Sequence, residues 1–338
     1  MASQSPTPIE QDFDSIQPDN VITIDPTKSE NYVYASVNSN DTVSLFTVFG
    51  DKLDIKLDQR NWKNLKWNED FSRLSMMGVQ ENDIFDLLIY EVGEKESRWV
   101  TNYYGTDSGV NSYIWGDNNT IYFNQGEGIN NWLHKYFVPS RSERIKVERI
   151  DGEILDLSPD GALLIYRMNS SNKLIGYNKA GNVAWKISEV VDQDGNSLNI
   201  QSITFVNEDI ALLEVMSVEG RSFYRVSIGG NTAVKVINKD FIPLCTVAED
   251  FILVFSIVEE RNVISRLNVR TGNLTEFFDI DGNFDIDLDS IECAGTGKIL
   301  FRALEQFESE YSWFSADASQ LTELAFLKGA REVEAVEF

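Results

Sequence analysis

Short apolar runs separated by polar turns fill this chain from about residue 30 onward. Stretches such as "NYVYAS", "TIYFNQ", "ALLIYR", "FILVFS" and "KILFRA" are dense in β-branched and aromatic residues. They are only a few residues long and are bounded by Gly, Asn, Asp and Ser, which marks strands rather than helices. The densest run of each stretch begins at Tyr32, Arg73, Thr120, Ala162, Ile210, Phe251 and Lys298. The steps between them alternate between 41–42 and 47–48 residues.

A second feature keeps the same period. About twenty residues after each start comes a hairpin with a tight turn: "TVFGDKLDI", "YEVGEKESRWV", "YFVPSRSERIKV", "YNKAGNVAWKI", "VSIGGNTAVKV", "LNVRTGNLTEFF" and "FSADASQLTELA". Five of these turns carry glycine, at Gly50, Gly93, Gly181, Gly230 and Gly272. Such turns often require positive φ, which glycine adopts without strain.

A short strand A precedes each acidic turn: "VITI", "NLKW", "SYIW", "EILDL", "SITF", "PLCT" and "SIEC". Strand B is the dense run, and strands C and D form the hairpin. Four antiparallel strands per 40–50 residues predict one blade of a β-propeller. The chain is therefore expected to be all-β, a seven-bladed propeller over 20–328. The blades fall at 20–60, 61–105, 106–149, 150–191, 192–239, 240–282 and 283–328. The polar, proline-containing residues 1–19 read as a disordered arm. Residues 329–338 read as a tail or a ring-closing strand.

The stretch "LSPDGALLIY", Leu157 to Tyr166, resembles the WD40-like (PD40) repeat of the TolB-like propellers, which also occurs in the propellers of prolyl-oligopeptidase-type peptidases. "WNEDFSRLSMM", "FVNEDIALLEV" and "TVAEDFILVFS" keep the acid and the apolar strand but not Ser-Pro or Gly. The resemblance implies the fold. Its members act as docking platforms, enzyme gates and occasional lyases, so it leaves the activity open.

Charge narrows the partners. Among 338 residues, 54 acids face 29 bases, a net charge of −25. That argues against nucleic acid and anionic lipid, which both call for a cationic face, and it suits a protein partner with a cationic surface. No apolar window is long enough for a membrane helix, so direct membrane insertion is not expected. The opening Met-Ala-Ser resembles an added start, which leaves room for an upstream signal or anchor. The preferred reading is extracytoplasmic (periplasmic, cell-surface or secreted), with room for a tether through such a segment and with the cytoplasm as the alternative. Cys245 and Cys293 have offsets from strand B that differ by one residue. Side chains alternate sides along a strand, so the two are expected as separate buried thiols, with a disulfide as the alternative.

Candidate chemistry is sparse. The single histidine, His134, falls on a strand C, where packing is the expected role. No GxSxG elbow is present. "GTGKIL" reads as an A–B turn rather than a phosphate loop. The B–C loops are strongly acidic, which places the candidate binding surface there. Its residues are Asp83, Glu127, Glu259, Glu260 and Glu308, with Trp132 as an aromatic anchor. The phrases "DQDGN" and "DIDGN" resemble the start of oxygen-rich calcium loops. Asp192, Asp194, Asp279 and Asp281 are thus the candidate metal ligands, with plain Asx turns as the alternative. No other cofactor is expected. The preferred reading is a non-catalytic interaction platform. The rivals are a glycan-active lyase or hydrolase using paired carboxylates and a calcium-dependent binding module.

Overall fold

A computed structural model describes residues 32–335, apart from 48, 59, 80–83, 102–108, 127–130, 141–143, 150–151, 179–181, 219, 249, 260, 281–283, 294–297, 306–309 and 318–320. It is a seven-bladed propeller. Blade 1 holds β1 (Tyr32–Asn38), β2 (Val43–Thr47) and β3 (Lys52–Ile55). Blade 2 is β4 (Lys63–Trp67), β5 (Arg73–Val79), β6 (Phe85–Glu91) and β7 (Glu96–Trp99). Blade 3 is β8 (Val110–Asp117), β9 (Thr120–Gln125), β10 (Trp132–Phe137) and β11 (Arg144–Arg149). Blade 4 is β12 (Gly152–Leu157), β13 (Leu163–Met168), β14 (Leu174–Asn178) and β15 (Val183–Trp185). Blade 5 comprises β16 (Val191–Asp192), β17 (Ile200–Phe205), β18 (Ile210–Ser217), β19 (Gly220–Ser227) and β20 (Thr232–Asn238). Blade 6 is β21 (Ile242–Ala248), β22 (Phe251–Val258), β23 (Arg261–Asn268) and β24 (Leu274–Ile280). Blade 7 is β25 (Phe284–Cys293), β26 (Lys298–Glu305), β27 (Ser312–Asp317) and β28 (Leu321–Glu323). The remaining strand, β29 (Ala330–Ala335), belongs to blade 1.

Two departures from four consecutive strands per repeat have local causes. In blade 5 the two-residue β16 adds a parallel fifth strand outside β20, pairing Val191 with Thr232 and Asp192 with Ala233. In blade 1 the innermost place, expected for "VITI", is filled by β29, which pairs antiparallel with β1 from Tyr34–Ala335 to Asn38–Ala330. "VITI" itself lies outside the described residues. Three contacts pin β29. Trp313 Nε1 donates to the Ala330 carbonyl (2.9 Å), Arg331 pairs with Asp41 (2.8 Å), and Arg331 Nη1 donates to Asn61 Oδ1 (2.6 Å). The first and last strands among the described residues thus share one sheet, and the ring closes by hydrogen bonding.

The turns hold one surprise. Gly50 and Gly272 have φ of +86° and +74°, as the hairpins require. In the fifth hairpin the left-handed residue is Gly229 (+76°) rather than Gly230, and in the second it is Lys95 (+55°) rather than Gly93. Gly181 lies outside the described residues.

Packing between blades follows a parity rule. Counted from the start of strand B, even positions pack toward the following blade and odd positions toward the preceding one. Leu253 and Phe255 of blade 6 cluster with Ile299, Phe301 and Ala303 of blade 7. Leu212 of blade 5 meets Ile252 and Val254 of blade 6. Tyr122 of blade 3 meets Leu164 and Tyr166 of blade 4. Strands with alternating side chains, stacked face to face, allow no other arrangement. Trp62, Trp67, Trp115, Trp185 and Trp313 are all buried in these layers.

The same rule overturns the expectation for the cysteines, which are joined in a disulfide. Cys245 pairs with Leu253 on β22, and Cys293 with Ile299 on β26. Leu253 faces forward and Ile299 faces back, so the two sulfurs face each other. Opposite parity separates two side chains within one sheet, but it brings them together across two stacked sheets. Their Cα atoms are 6.0 Å apart, within ordinary disulfide geometry.

Candidate functional site

The innermost strands converge on the axis, and at one mouth of it lies a cavity of about 560 Å³. Its walls come from four blades. The A–B turn of blade 2 gives Trp67, Asn68, Glu69 and Phe71. Strand β21 gives Leu244 and Cys245, β25 gives Glu292 and Cys293, and β29 gives Glu334 and Ala335. Three of these side chains are carboxylic acids and none is basic.

The turn that presents Glu69 and Phe71 shows how the repeat motif builds the wall. In blade 4, Ser158 Oγ accepts from the Leu163 amide (2.8 Å), and Asp160 Oδ1 accepts from the Ala162 amide (3.0 Å). Gly161 between them has φ +63°. Blade 2 keeps this geometry with other residues. Asn68 Oδ1 accepts from the Arg73 amide (2.8 Å), and Asp70 Oδ1 accepts from the Ser72 amide (3.0 Å). The glycine place is taken by Phe71, at φ +59°. A bulky residue there is strained, and the strain sets an aromatic ring on the cavity wall. Asn118 of blade 3 locks this turn, because its Oδ1 accepts from the Asp70 amide (2.7 Å).

Acids accumulate along the axis. Burial pushes the Glu292 carboxyl well above the usual carboxylate range, and the negative charges of Glu334 and Glu332 add to it. Hydrogen bonding from the Ala335 amide and the charge of Lys66 offset part of this. Glu332 is also raised by burial, although its Oε1 accepts from the Leu65 amide (2.7 Å). On blade 4, Asp156 is raised by burial in the same way. The axis is therefore a desolvated acidic environment with Lys66 as a partial counter-charge.

The acids named from the sequence lie elsewhere. A–B and C–D turns share one face, B–C and D–A loops the other. The cavity opens on the A–B face, opposite the expected B–C surface. Asp83, Glu127, Glu260 and Glu308 lie outside the described residues. Glu259 is an exposed turn residue with φ +51°. Trp132 is half-buried, opposite Gln125 and Arg149 in the sheet. His134 is buried and stacked on Phe123, with ring centroids 4.9 Å apart, as expected of a packed histidine.

Asp192 closes an Asx turn. It accepts from the amides of Asp194 (3.0 Å) and Asn196 (2.8 Å) and from Asn196 Nδ2 (3.0 Å). These bonds, the Asn196 side chain first, hold its carboxyl below the usual range. Asp194 is exposed. Asp279 pairs with Val263 in blade 6, and Asp281 lies outside the described residues. Among the described residues no three acids, histidines or cysteines converge as a metal set.

The sequence reading missed Glu292, Glu332 and Glu334. A signal was present in "AREVEA", where glutamates alternate with apolar residues on a strand that ends at the axis.

Comparisons with known proteins support the architecture. No family model matches, and no curated protein matches. A structure of prolyl endopeptidases, studied for inter-domain dynamics in catalysis and specificity, matches at 11 % identity with a TM-score of 0.56. That match covers 76 % of this chain and 41 % of the other. Oligopeptidase B from Leishmania major matches at 13 % identity and TM-score 0.49, covering 80 % and 43 %. TolB from Acinetobacter baumannii matches at 12 % and 0.43, covering 74 % and 63 %. This chain spans about two fifths of the length of the peptidases it matches. At these identities the likeness is one of fold.

Proposed function

We propose that this chain is an interaction platform that engages a partner protein at the A–B mouth of its axis. The observation that carries the reading is the acid-lined cavity there, built from four blades at once. Large polar-and-apolar concavities of this size are where proteins hold ligands. The partner presents positive charge, complementing both the cavity and the chain's net charge of −25. The platform works in an oxidising, extracytoplasmic compartment, a reading supported by the Cys245–Cys293 disulfide.

Photo-crosslinking tests this. Phe71→p-benzoylphenylalanine places the reactive group at the mouth. Val218→p-benzoylphenylalanine places it on a fully exposed loop of the opposite face. One defined partner is expected from position 71, competed by excess unmodified chain, and none from position 218. Adducts from position 218 alone, or from neither, would defeat the reading.

One observation favours a second reading, a glycan-active enzyme. Glu292, whose carboxyl is pushed well above the usual range by burial and by the charges of Glu334 and Glu332, shares the cavity with Glu334. Glycoside cleavage uses two carboxyls in one cleft, one of them with a raised pKa. Release of new sugar ends from a glycan panel, abolished by Glu292→Gln, would favour it. An inert panel would dismiss it.

A further inference from the structure

We propose that the Cys245–Cys293 bond is a redox-responsive clasp on the cavity wall. A small thiol that enters the cavity exchanges with it and frees the inner strands of blades 6 and 7, while the propeller stays folded. This holds whether or not a partner docks at the mouth.

Placement comes first. Both cysteines line the cavity, and both are half-buried. Every residue that blades 6 and 7 give to the wall is one of them or its immediate neighbour, Leu244 beside Cys245 and Glu292 beside Cys293. The bond therefore fixes that side of the wall, and a reagent inside the cavity arrives next to it.

The strands that carry the bond are held loosely by their own blades. β21 slips register against β22 on both sides of Cys245, between Pro243 and Cys245 and again between Thr246 and Ala248. β25 loses register against β26 after Asp287 and regains it for Glu292–Leu300 and Cys293–Ile299. Residues 288–291 form a bulge, closed by Ser290 Oγ, which donates to the Asp287 carbonyl (2.6 Å) and accepts from the Arg302 amide (2.8 Å). Bulges disrupt the ladder and are over-represented next to active sites. A strand end with few regular pairs opens locally at low cost. The layer between the two blades does not rely on the bond. It is filled by Leu253, Phe255, Ile299, Phe301 and Phe314, all buried, and the ring is closed elsewhere, by β29 on β1.

The chemistry is thiol–disulfide exchange. An external thiolate attacks one sulfur, forms a mixed disulfide and expels the other cysteine as its thiolate. A second external thiolate attacks the mixed disulfide and displaces the remaining cysteine. Two cysteine thiols, protonated from water, and one external disulfide result. Glu69 and Glu334 on the same walls repel an anionic thiol and attract a cationic one.

The native chain is incubated with cysteamine, 2-mercaptoethanol or 2-mercaptoethanesulfonate at matched thiolate concentration. New cysteine thiols are read by mass after iodoacetamide, and each rate is scaled to the same thiol's attack on hydroxyethyl disulfide. Both thiols are expected to appear at a rate proportional to thiolate concentration. Cysteamine should be about tenfold faster than the sulfonate, and high salt should close the gap. Far-UV circular dichroism should not change, and hydrogen exchange should quicken at 242–248 and 284–293 alone. A rate independent of thiolate concentration would mean that global unfolding admits the reagent, which overturns the inference. Loss of the propeller on reduction, an exchange pattern that reduction leaves unaltered, or equal scaled rates for the three thiols overturn it as well.

Discussion

Cys245 and Cys293 join the innermost strands of blades 6 and 7 beside the cavity, one facing forward around the ring and the other back. The bond spans 48 residues of chain, and the unfolded-state model assigns such a loop about 4 kcal/mol. The denatured, unreduced protein should therefore show no free thiol. Replacing both residues with serine should lower stability by up to about 4 kcal/mol in a urea melt. Two titratable thiols in freshly oxidised protein would contradict the structure.

Acidity at the axis gives stability a pH slope. Glu292 and Glu332 have raised carboxyl pKa values in the fold. The stability tied to them is fully present below the ordinary glutamate value of 4.5 and is lost as pH rises through their folded values. The melting temperature should fall as pH rises above about 4.5. Glu292→Gln should flatten that fall. A variant as steep as the parent would show that the slope comes from general charge repulsion alone.

Gly78 tests the packing between blades 1 and 2. A Cβ there would stand 2.5 Å from Cζ3 of Trp62, which is fully buried and stacked on Trp99. Trp62 has no exposed surface to retreat into. Gly78→Ala should cost about 1–3 kcal/mol by overpacking, read as a shift in the denaturation midpoint. A neutral result would show that Trp62 can swing aside.

The Asp192 loop separates calcium from a plain turn. Its carboxylate already accepts three hydrogen bonds from its own loop. Millimolar calcium is expected to leave the melting temperature where it was. A rise that Asp192→Asn removes would restore the calcium module.

Much of the architecture was legible because a repeat signals itself twice. Six of the seven strand B starts coincide with the structure, and the seventh, Ala162, precedes Leu163 by one residue. The degenerate turns were harder to interpret. "NEDFSR" looked like a damaged copy of "SPDGAL", yet Asn68 and Asp70 reproduce its hydrogen bonds. The cavity was not legible, since Glu69, Glu292 and Glu334 lie far apart in sequence and meet only when the ring closes. The cysteines were misjudged by applying the alternation of a single sheet to a contact between two.

The closing strand sets the order in which this molecule can be made. Tyr32–Asn38 leave the ribosome before all the other blades, and their partner Ala330–Ala335 leave after them. A nascent chain can stack its later blades as they emerge, but β1 waits for its inner partner until Ala330–Ala335 have emerged. Long-range closure of this kind is slow, and an exposed strand edge invites pairing with other chains. Translation that stalls or terminates just short of Ala330 should therefore yield aggregates rather than a shortened propeller.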